Sequence, residues 1–195
     1  MGTKKYRLTG NHINIGNRIL YQIEALKDFG NVKAGDLGGY IESEKNLSQY
    51  DNAWVYGNAE VYGDAQVRGN AQVRGNAEVR GNACVFDNAE VYGNALVYDN
   101  AQVLGNARVF GDAQIKSARD YIVFKNWWSS GRYFTWTRSN NMWKVGCFYG
   151  TGEELIKKAY NDSKESGREY ERIVRYVESI LADEKRKENE PIGIK

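Results

Sequence analysis

Residues 52–115 read NAWVYGNAEVYGDAQVRGNAQVRGNAEVRGNACVFDNAEVYGNALVYDNAQVLGNARVFGDAQI, a six-residue pattern that runs without one insertion. Alanine recurs every sixth position from Ala53 to Ala113, and a branched aliphatic follows two residues later each time, from Val55 to Ile115. The unit is V-x-[GD]-[ND]-A-x. Val alternates with its two neighbours, so x-V-x is a short strand with Val on one face. Gly, Asp and Asn tolerate the left-handed backbone a sharp corner needs, and the small Ala turns back inside it. Three such sides close a coil of 18 residues, and coils stack by parallel pairing at about 4.8 Å. The repeats fill between three and four coils, a prism roughly 17 Å tall at that spacing.

Positions 18 apart must lie on neighbouring coils. The residues after Val then form the ladders Tyr56–Arg74–Tyr92–Phe110, Tyr62–Arg80–Tyr98–Lys116 and Tyr50–Arg68–Phe86–Leu104. Each Arg of the second coil is expected between two aromatic rings, with cation–π attraction of about 0.5–1 kcal/mol per exposed contact. The residues before Val give Trp54–Gln72–Glu90–Arg108, Glu60–Glu78–Leu96–Gln114 and Ser48–Gln66–Cys84–Gln102, in which Glu90 and Arg108 can pair.

An open end of such a prism exposes unpaired strand edges, so a cap is required. Residues 1–50 are the expected N-terminal β cap. Tyr6–Thr9 and Ile19–Leu26 read as strands around a Gly/Asn-rich loop at 10–17, and Gly35, Gly38 and Gly39 read as tight turns. Ile41 and Leu47 fall in phase with the Ala register, so the first, irregular coil is expected to begin there.

The repeat resembles the [LIV]-x-x-x-[small]-x hexapeptide motif of left-handed parallel β-helix proteins, and the left hand is implied by that resemblance alone. The string ALKDFGNVKAGDLGGYIESEKNLSQYDNAWVYGNAEVYG, residues 25–63, is similar to the cap and first repeats of a family of phage, prophage and bacterial hexapeptide-repeat proteins. Members are commonly labelled transferase or polymer-forming, by fold analogy. The resemblance covers residues 1–116 well and implies a phage-encoded chain acting in the host cytoplasm.

The six-residue period stops after Ala118. Tyr121–Phe124, Tyr133–Arg138 and Met142–Tyr149 read as a three-stranded antiparallel meander with turns at Gly131-Arg132 and Ser139–Asn141. Thr151-Gly-Glu-Glu154 is a capping box that starts a helix with Leu155, Ile156, Ala159 and Tyr160 on its apolar face. A second helix is expected over 168–187, with Tyr170, Ile173, Val174, Val177, Ile180 and Leu181 at helical spacing, before a fraying charged tail. The expected organisation is therefore mainly β: a cap over 1–50, a left-handed β-helix over 51–116, and a small α+β domain over 117–195.

The chain has 195 residues and a net charge of +2, which argues against a general nucleic-acid binder. Two cysteines make no disulfide framework, and no long apolar run or signal segment is evident, so a cytoplasmic protein without membrane contact is expected. The fold suggests acyl transfer, but that chemistry usually takes a histidine base between coils, and the sole histidine is His12 in the cap. Three zinc-binding histidines are excluded by the same count. Cys84 has no base predicted beside it, Cys147 reads as core, and Gly146–Gly152 lacks the Lys of a phosphate-binding P-loop. No catalytic residue, metal or cofactor is expected. The functional signal is aromatic density: Trp127, Trp128, Trp136 and Trp143 with Tyr133 and Phe134 in one short segment, beside Arg132 and Arg138. Alternation turns Phe134 and Trp136 away from Tyr133 and Thr135, so one set meets the helices and the other meets the prism end, a second subunit or a ligand.

The expectation is a non-enzymatic binding protein that displays a recognition surface to a host protein, a component of antiviral defence among the candidates. Trp127, Trp128, Arg132, Tyr133, Trp136 and Arg138 are the expected contacts, with the ladders Tyr56, Arg74, Tyr92 and Tyr62, Arg80, Tyr98 as a second surface. The alternatives are sequestration of a small nucleotide signal, with aromatics on the base and Arg on phosphate, and a structural homo-oligomer formed through the flat sides.

Overall fold

A computed structural model of the chain describes residues 4–189. The N-terminal hairpin pairs β1 (Tyr6–Ile15) with β2 (Arg18–Ala25), and β2 pairs antiparallel with β3 (Leu37–Ile41). The strands therefore run through most of the expected 10–17 loop. A bulge between Leu8 and His12 absorbs the irregularity, and only Gly16, at φ +56°, makes a left-handed turn.

Two-residue strands follow every six residues, from Trp54–Val55 to Gln114–Ile115. Val55, Val73, Val91 and Val109 pair in parallel on one side, Val61, Val79, Val97 and Ile115 on the second, and Val67, Val85 and Val103 on the third. The 18-residue coil and its three sides are as the repeat dictates. All these aliphatics, with every repeat Ala, are fully buried in one core. Corner asparagines add ladders of their own, Asn52 to Asn70 at 3.0 Å and Asn70 to Asn88 at 3.1 Å. The second side continues through β3 into the hairpin, giving one seven-stranded sheet.

The first coil differs from its expected register. Ile41 pairs with Val61 and Leu47 with Val67, so both occupy Val positions and the spacing is 20 residues. The extra length lies in the corner after Leu47, where Asp51 takes φ +54°. Tyr50 consequently sits outside the Arg68 ladder, exposed on that enlarged corner. Gly38 and Gly39 are not turns but lie inside β3. A Cβ on Gly39 would come 2.5 Å from the Ala59 oxygen, and one on Gly38 would come 2.6 Å from the Val55 oxygen. Only glycine lets this strand lie against the prism backbone.

Both prism ends are closed by hydrogen-bond partners of matching sense. The amides flanking each Val donate to the next coil, as Arg74 N does to Val91 O at 2.8 Å. The last coil has no successor, and its donors turn to side chains: Arg108 N to Thr135 Oγ1 at 2.9 Å, Gln114 N to Ser139 Oγ at 2.7 Å, Lys116 N to Asp120 Oδ2 at 2.9 Å. The first coil lacks donors for its carbonyls. Lys5 Nζ donates to Ala53 O at 2.8 Å and Tyr50 O at 3.1 Å, and the Tyr6 hydroxyl donates to Leu47 O at 2.7 Å. A buried backbone group left unpaired costs about 1–3 kcal/mol, so each cap is fitted to one end.

Beyond the prism, the strands Tyr121–Lys125, Tyr133–Thr137, Met142–Val145 and Phe148–Gly150 form a four-stranded antiparallel sheet in chain order. The expected third strand is split in two, because Gly146 at φ +54° turns the chain back after Val145. Alternation sets the layers. Phe134, Trp136 and Trp143 are buried against the helices, with Ile122, Phe124 and Val145 beside them. Thr135 and Thr137 are buried on the other face, and Tyr121 and Val123 pack on the prism core. Prism end, sheet and helices are three successive layers.

Helix α1 (Gly152–Asp162) starts at the expected capping box, with Glu154 N donating to Thr151 Oγ1 at 3.3 Å and Thr151 N to Glu154 Oε2 at 2.8 Å. Leu155, Ile156 and Ala159 are buried, while Tyr160 is exposed and donates to Glu171. Helix α2 (Lys164–Asn189) starts earlier and ends later than its apolar spacing implied. The charged tail is helical to Asn189, and residues 190–195 of the expected fraying stretch lie outside the described residues.

Candidate partner-binding site

The chain between the first two strands of the C-terminal sheet is a short loop, residues 126–132. Asn126 organises it. Its backbone N–H donates to Arg132 O at 2.8 Å, its Oδ1 accepts from Ser129 N at 2.9 Å, and its Nδ2 lies 3.0 Å from the Tyr170 hydroxyl of α2. Asn126 is itself buried, so the loop is pinned to the sheet and to a helix at once. The Tyr170 phenol is shifted to higher pKa by burial, with the Asn126 hydrogen bond opposing, and stays a neutral partner at physiological pH.

The pinned loop sorts the expected contacts into two groups. Trp128 turns inward, edge-on to Tyr170 at 5.0 Å and to Phe134 at 6.4 Å. Trp127 turns outward, is 74% exposed, and rests edge-on against Trp128 at 6.0 Å. Tyr133 is 40% exposed at the far end of the loop, with the Lys125 ammonium 5.7 Å from its ring. Arg132 is exposed, and no ion pair or side-chain hydrogen bond of its guanidinium is seen among the described residues. Its Nη1 lies where a Cβ on Gly146 would approach to 3.2 Å, so glycine there leaves room for the guanidinium.

Two of the expected contacts are structural. Trp136 is fully buried, and its Nε1 donates to Asn141 Oδ1 at 2.9 Å, so no face of the indole is free. Arg138 ties the sheet to α2: Nη1 reaches Glu184 Oε2 at 2.5 Å and Nε donates to Arg119 O at 3.0 Å. That pairing holds the Glu184 carboxyl below the usual carboxylate range. Trp136 is thus part of the core, and the Arg138 guanidinium is already engaged by Glu184 and the Arg119 carbonyl.

The ladders are partly as expected. Glu90 and Arg108 pair at 3.0 Å. Arg74 lies over Tyr56 at 4.8 Å and Arg80 over Tyr98 at 5.3 Å, each on one side only. Tyr62 instead faces Arg18 of the hairpin at 5.8 Å and donates to Glu78, whose carboxylate also meets Arg80 Nε at 2.9 Å. Tyr92 packs on Phe110 at 4.3 Å, and Phe110 packs on Tyr149 of the C-terminal sheet at 4.5 Å. The Tyr92 end of this ladder is thus a junction between prism and sheet rather than an open surface.

Near this junction and the adjoining cleft, two lysines escaped the sequence reading and one cysteine was misplaced by it. Lys144 is almost wholly buried, with Nζ 4.9 Å from the Phe110 ring and 5.9 Å from that of Tyr92. Its pKa is lowered by burial and further by Arg108. A Lys inside the apolar run Met-Trp-Lys-Val was its only signal. Cys147, read as core, is exposed on the Gly146 turn. Lys158, on the outer part of α1, lines a cleft with Arg132. Two clefts meet at Arg132, Gly146 and Cys147. One, of about 400 Å³, opens between the loop and the helices; the other, of about 530 Å³, opens against Glu90 and Arg108 of the prism.

Cys84 stands between Gln66 and Gln102 as the 18-residue coil requires. His12 is exposed on β1, its ring 6.2 Å from that of Tyr21, on the hairpin that caps the opposite end of the prism. Among the described residues no cluster of His, Cys, Asp or Glu could hold a metal ion, and no helix is long and apolar enough to cross a membrane. No protein-family model matches the chain, and no curated protein matches it.

Proposed function

We propose that this chain is a non-catalytic binding protein whose β-solenoid is a rigid base for the 126–133 loop, and that Trp127, Arg132 and Tyr133 are its contacts with a protein partner. The observation that carries this reading is Trp127, an indole held largely in water on a loop pinned by buried Asn126. Trp, Tyr and Arg dominate the energetics of protein interfaces, and a loop fixed before binding loses little entropy on docking. The rigid prism supports precise presentation, since each coil is hydrogen-bonded to the next along three sides.

The partner we propose is a host protein, with antiviral-defence components as the first class to search, because the cap and repeats resemble those of phage and prophage proteins. Affinity capture from bacterial lysate, with the intact chain and with Trp127→Ala and Arg132→Ala, tests the site. The expected result is one partner recovered by the intact chain and lost from both variants, with matching protection from hydrogen exchange over residues 126–133. The same partner recovered equally by all three chains would remove the site assignment. Light scattering of the intact chain tests the structural alternative, in which the flat sides self-associate.

A further inference from the structure

We propose that the cleft between the 126–132 loop and the two helices is a binding site for a small organic phosphate, with Arg132 as its principal anion contact. It shares Arg132 with the protein-partner reading and otherwise rests on groups that reading does not use, Lys158 and the two serines of the cleft. The cleft has a volume of about 400 Å³ and its lining includes Arg132, Lys158, Ser130 and Ser166, one carboxylate, Asp162, and the rings of Phe148 and Tyr170. Small-molecule sites commonly fall within about 300–1,000 Å³ and combine apolar walls with a few polar groups.

Charge balance places the anion on this side of Arg132. On the prism side, Arg108 is already neutralised by Glu90 at 3.0 Å. On the helix side, Arg132 has no carboxylate partner among the described residues. Lys158 lies 3.9 Å from Asp162, which also lines the cleft and offsets its charge, so the net positive charge there is that of Arg132. Asn126 fixes the backbone of Arg132 and also holds the Tyr170 hydroxyl, so two sides of the cleft share one anchor.

The donor set selects phosphate over a carboxylate. A guanidinium presents a planar fork of N–H groups, an ammonium a point charge, and the two serines single O–H donors. A tetrahedral oxyanion can accept from several directions, whereas a carboxylate is satisfied by the fork alone. The aromatic and apolar walls make an ester with a compact ring a better occupant than inorganic phosphate.

The test is calorimetric titration of the full chain with inorganic phosphate and with phenyl phosphate at low ionic strength. One site per chain is expected, with phenyl phosphate the tighter ligand. Loss of a charge-assisted contact predicts weakening of about tenfold or more for Arg132→Ala, and a smaller loss for Lys158→Ala. Arg132→Lys should recover part of the affinity, and Arg108→Ala should bind as the intact chain does. All these residues have exposed or half-exposed side chains, and near-ultraviolet circular dichroism checks that each variant is folded. Absence of saturable binding overturns the proposal, as does unchanged binding by Arg132→Ala. Equal loss from Arg108→Ala, or none from Lys158→Ala, places the anion outside this cleft and overturns it too. Because no protein partner enters the experiment, its outcome is independent of partner capture through Trp127.

Discussion

Thr135 Oγ1 accepts the amide N–H of Arg108 at 2.9 Å, joining the last coil of the prism to a buried strand of the C-terminal sheet. The bond does for the prism what a further coil would do. Thr135→Val keeps the shape of the side chain and removes the acceptor, leaving a donor with no partner in a closed interface. The expected loss of stability is about 1–3 kcal/mol, and about 2–4 °C of melting temperature for each kcal/mol in a chain of this size. Thr135→Ser keeps the oxygen and should lose less. Thermal denaturation of the three proteins decides the matter; equal melting of Thr135→Val and the intact chain would show that the edge donor finds water instead.

The opposite end depends on a buried lysine. Burial pulls the Lys5 pKa down from 10.5 to about 8, against the attraction of Asp51. Between pH 8 and 10.5 the unfolded chain therefore binds a proton that the folded chain has released, and stability rises with pH. Burial raises the Tyr6 phenol, so above about pH 10 the unfolded chain loses protons the fold retains, and stability falls. Chemical denaturation should show a maximum between pH 8 and 10, with a rise of at most about 1.4 kcal/mol per pH unit from Lys5. Lys144, also lowered by burial, adds to the rise. Lys5→Met should flatten the slope whatever it does to absolute stability. An unchanged slope would mean that the ammonium keeps its charge within its cage of carbonyls.

Close approach of β3 to the prism makes a third prediction. Gly39→Ala places a methyl 2.5 Å from the Ala59 oxygen and 2.7 Å from Val55 Cγ1, both within the packed core. Backbone must move, and overpacking of this kind costs about 1–3 kcal/mol or more. Gly10→Ala meets nothing within 4 Å and serves as the control, with stability close to that of the intact chain. Urea denaturation of the two variants gives the comparison, and hydrogen exchange around Trp54, which packs against Phe29 of the cap at 5.3 Å, reads the cap itself. Equal stability of the two variants would show that β3 can lift away.

The prism was legible from sequence because its information is local. Each side needs only its own Val, Ala and corner pair, so eleven repeats state the same structure independently. The enlarged first corner was not legible. Its carbonyls are satisfied by Lys5, some 45 residues away, whose ammonium reaches the Tyr50 oxygen. In the C-terminal region, alternation correctly turned Phe134 and Trp136 away from Thr135, because a strand's two faces follow from period two. Which face met which layer required the third dimension. Arg138 looked like an interface residue until α2 brought Glu184 to it across 46 positions. Met142–Tyr149 looked continuous because its apolar character persists through the Gly146 turn. For the candidate site, composition found Trp127, Arg132 and Tyr133. It could not find Asn126, whose role rests on backbone groups and on a tyrosine 44 residues away.

Trp127 and Trp136 provide the sharpest separation of contact from core. Truncating Trp136 empties a buried volume and frees the Asn141 side-chain carbonyl, so Trp136→Ala should lose about 3–5 kcal/mol, read as collapse of the near-ultraviolet signal. Trp127 touches chiefly the edge of Trp128 and is otherwise in water, so Trp127→Ala should stay within about 0.5 kcal/mol of the intact chain. Partner recovery should show the reverse order, with Trp127→Ala losing it while remaining folded. Asn126→Ala lies between: it keeps every contact side chain but releases the loop from Ser129 and Tyr170. Its partner should bind more weakly, chiefly through slower association, because the loop must be ordered on docking. If Trp127→Ala instead destabilises the chain as Trp136→Ala does, the exposed indole is a structural group and the recognition surface lies elsewhere.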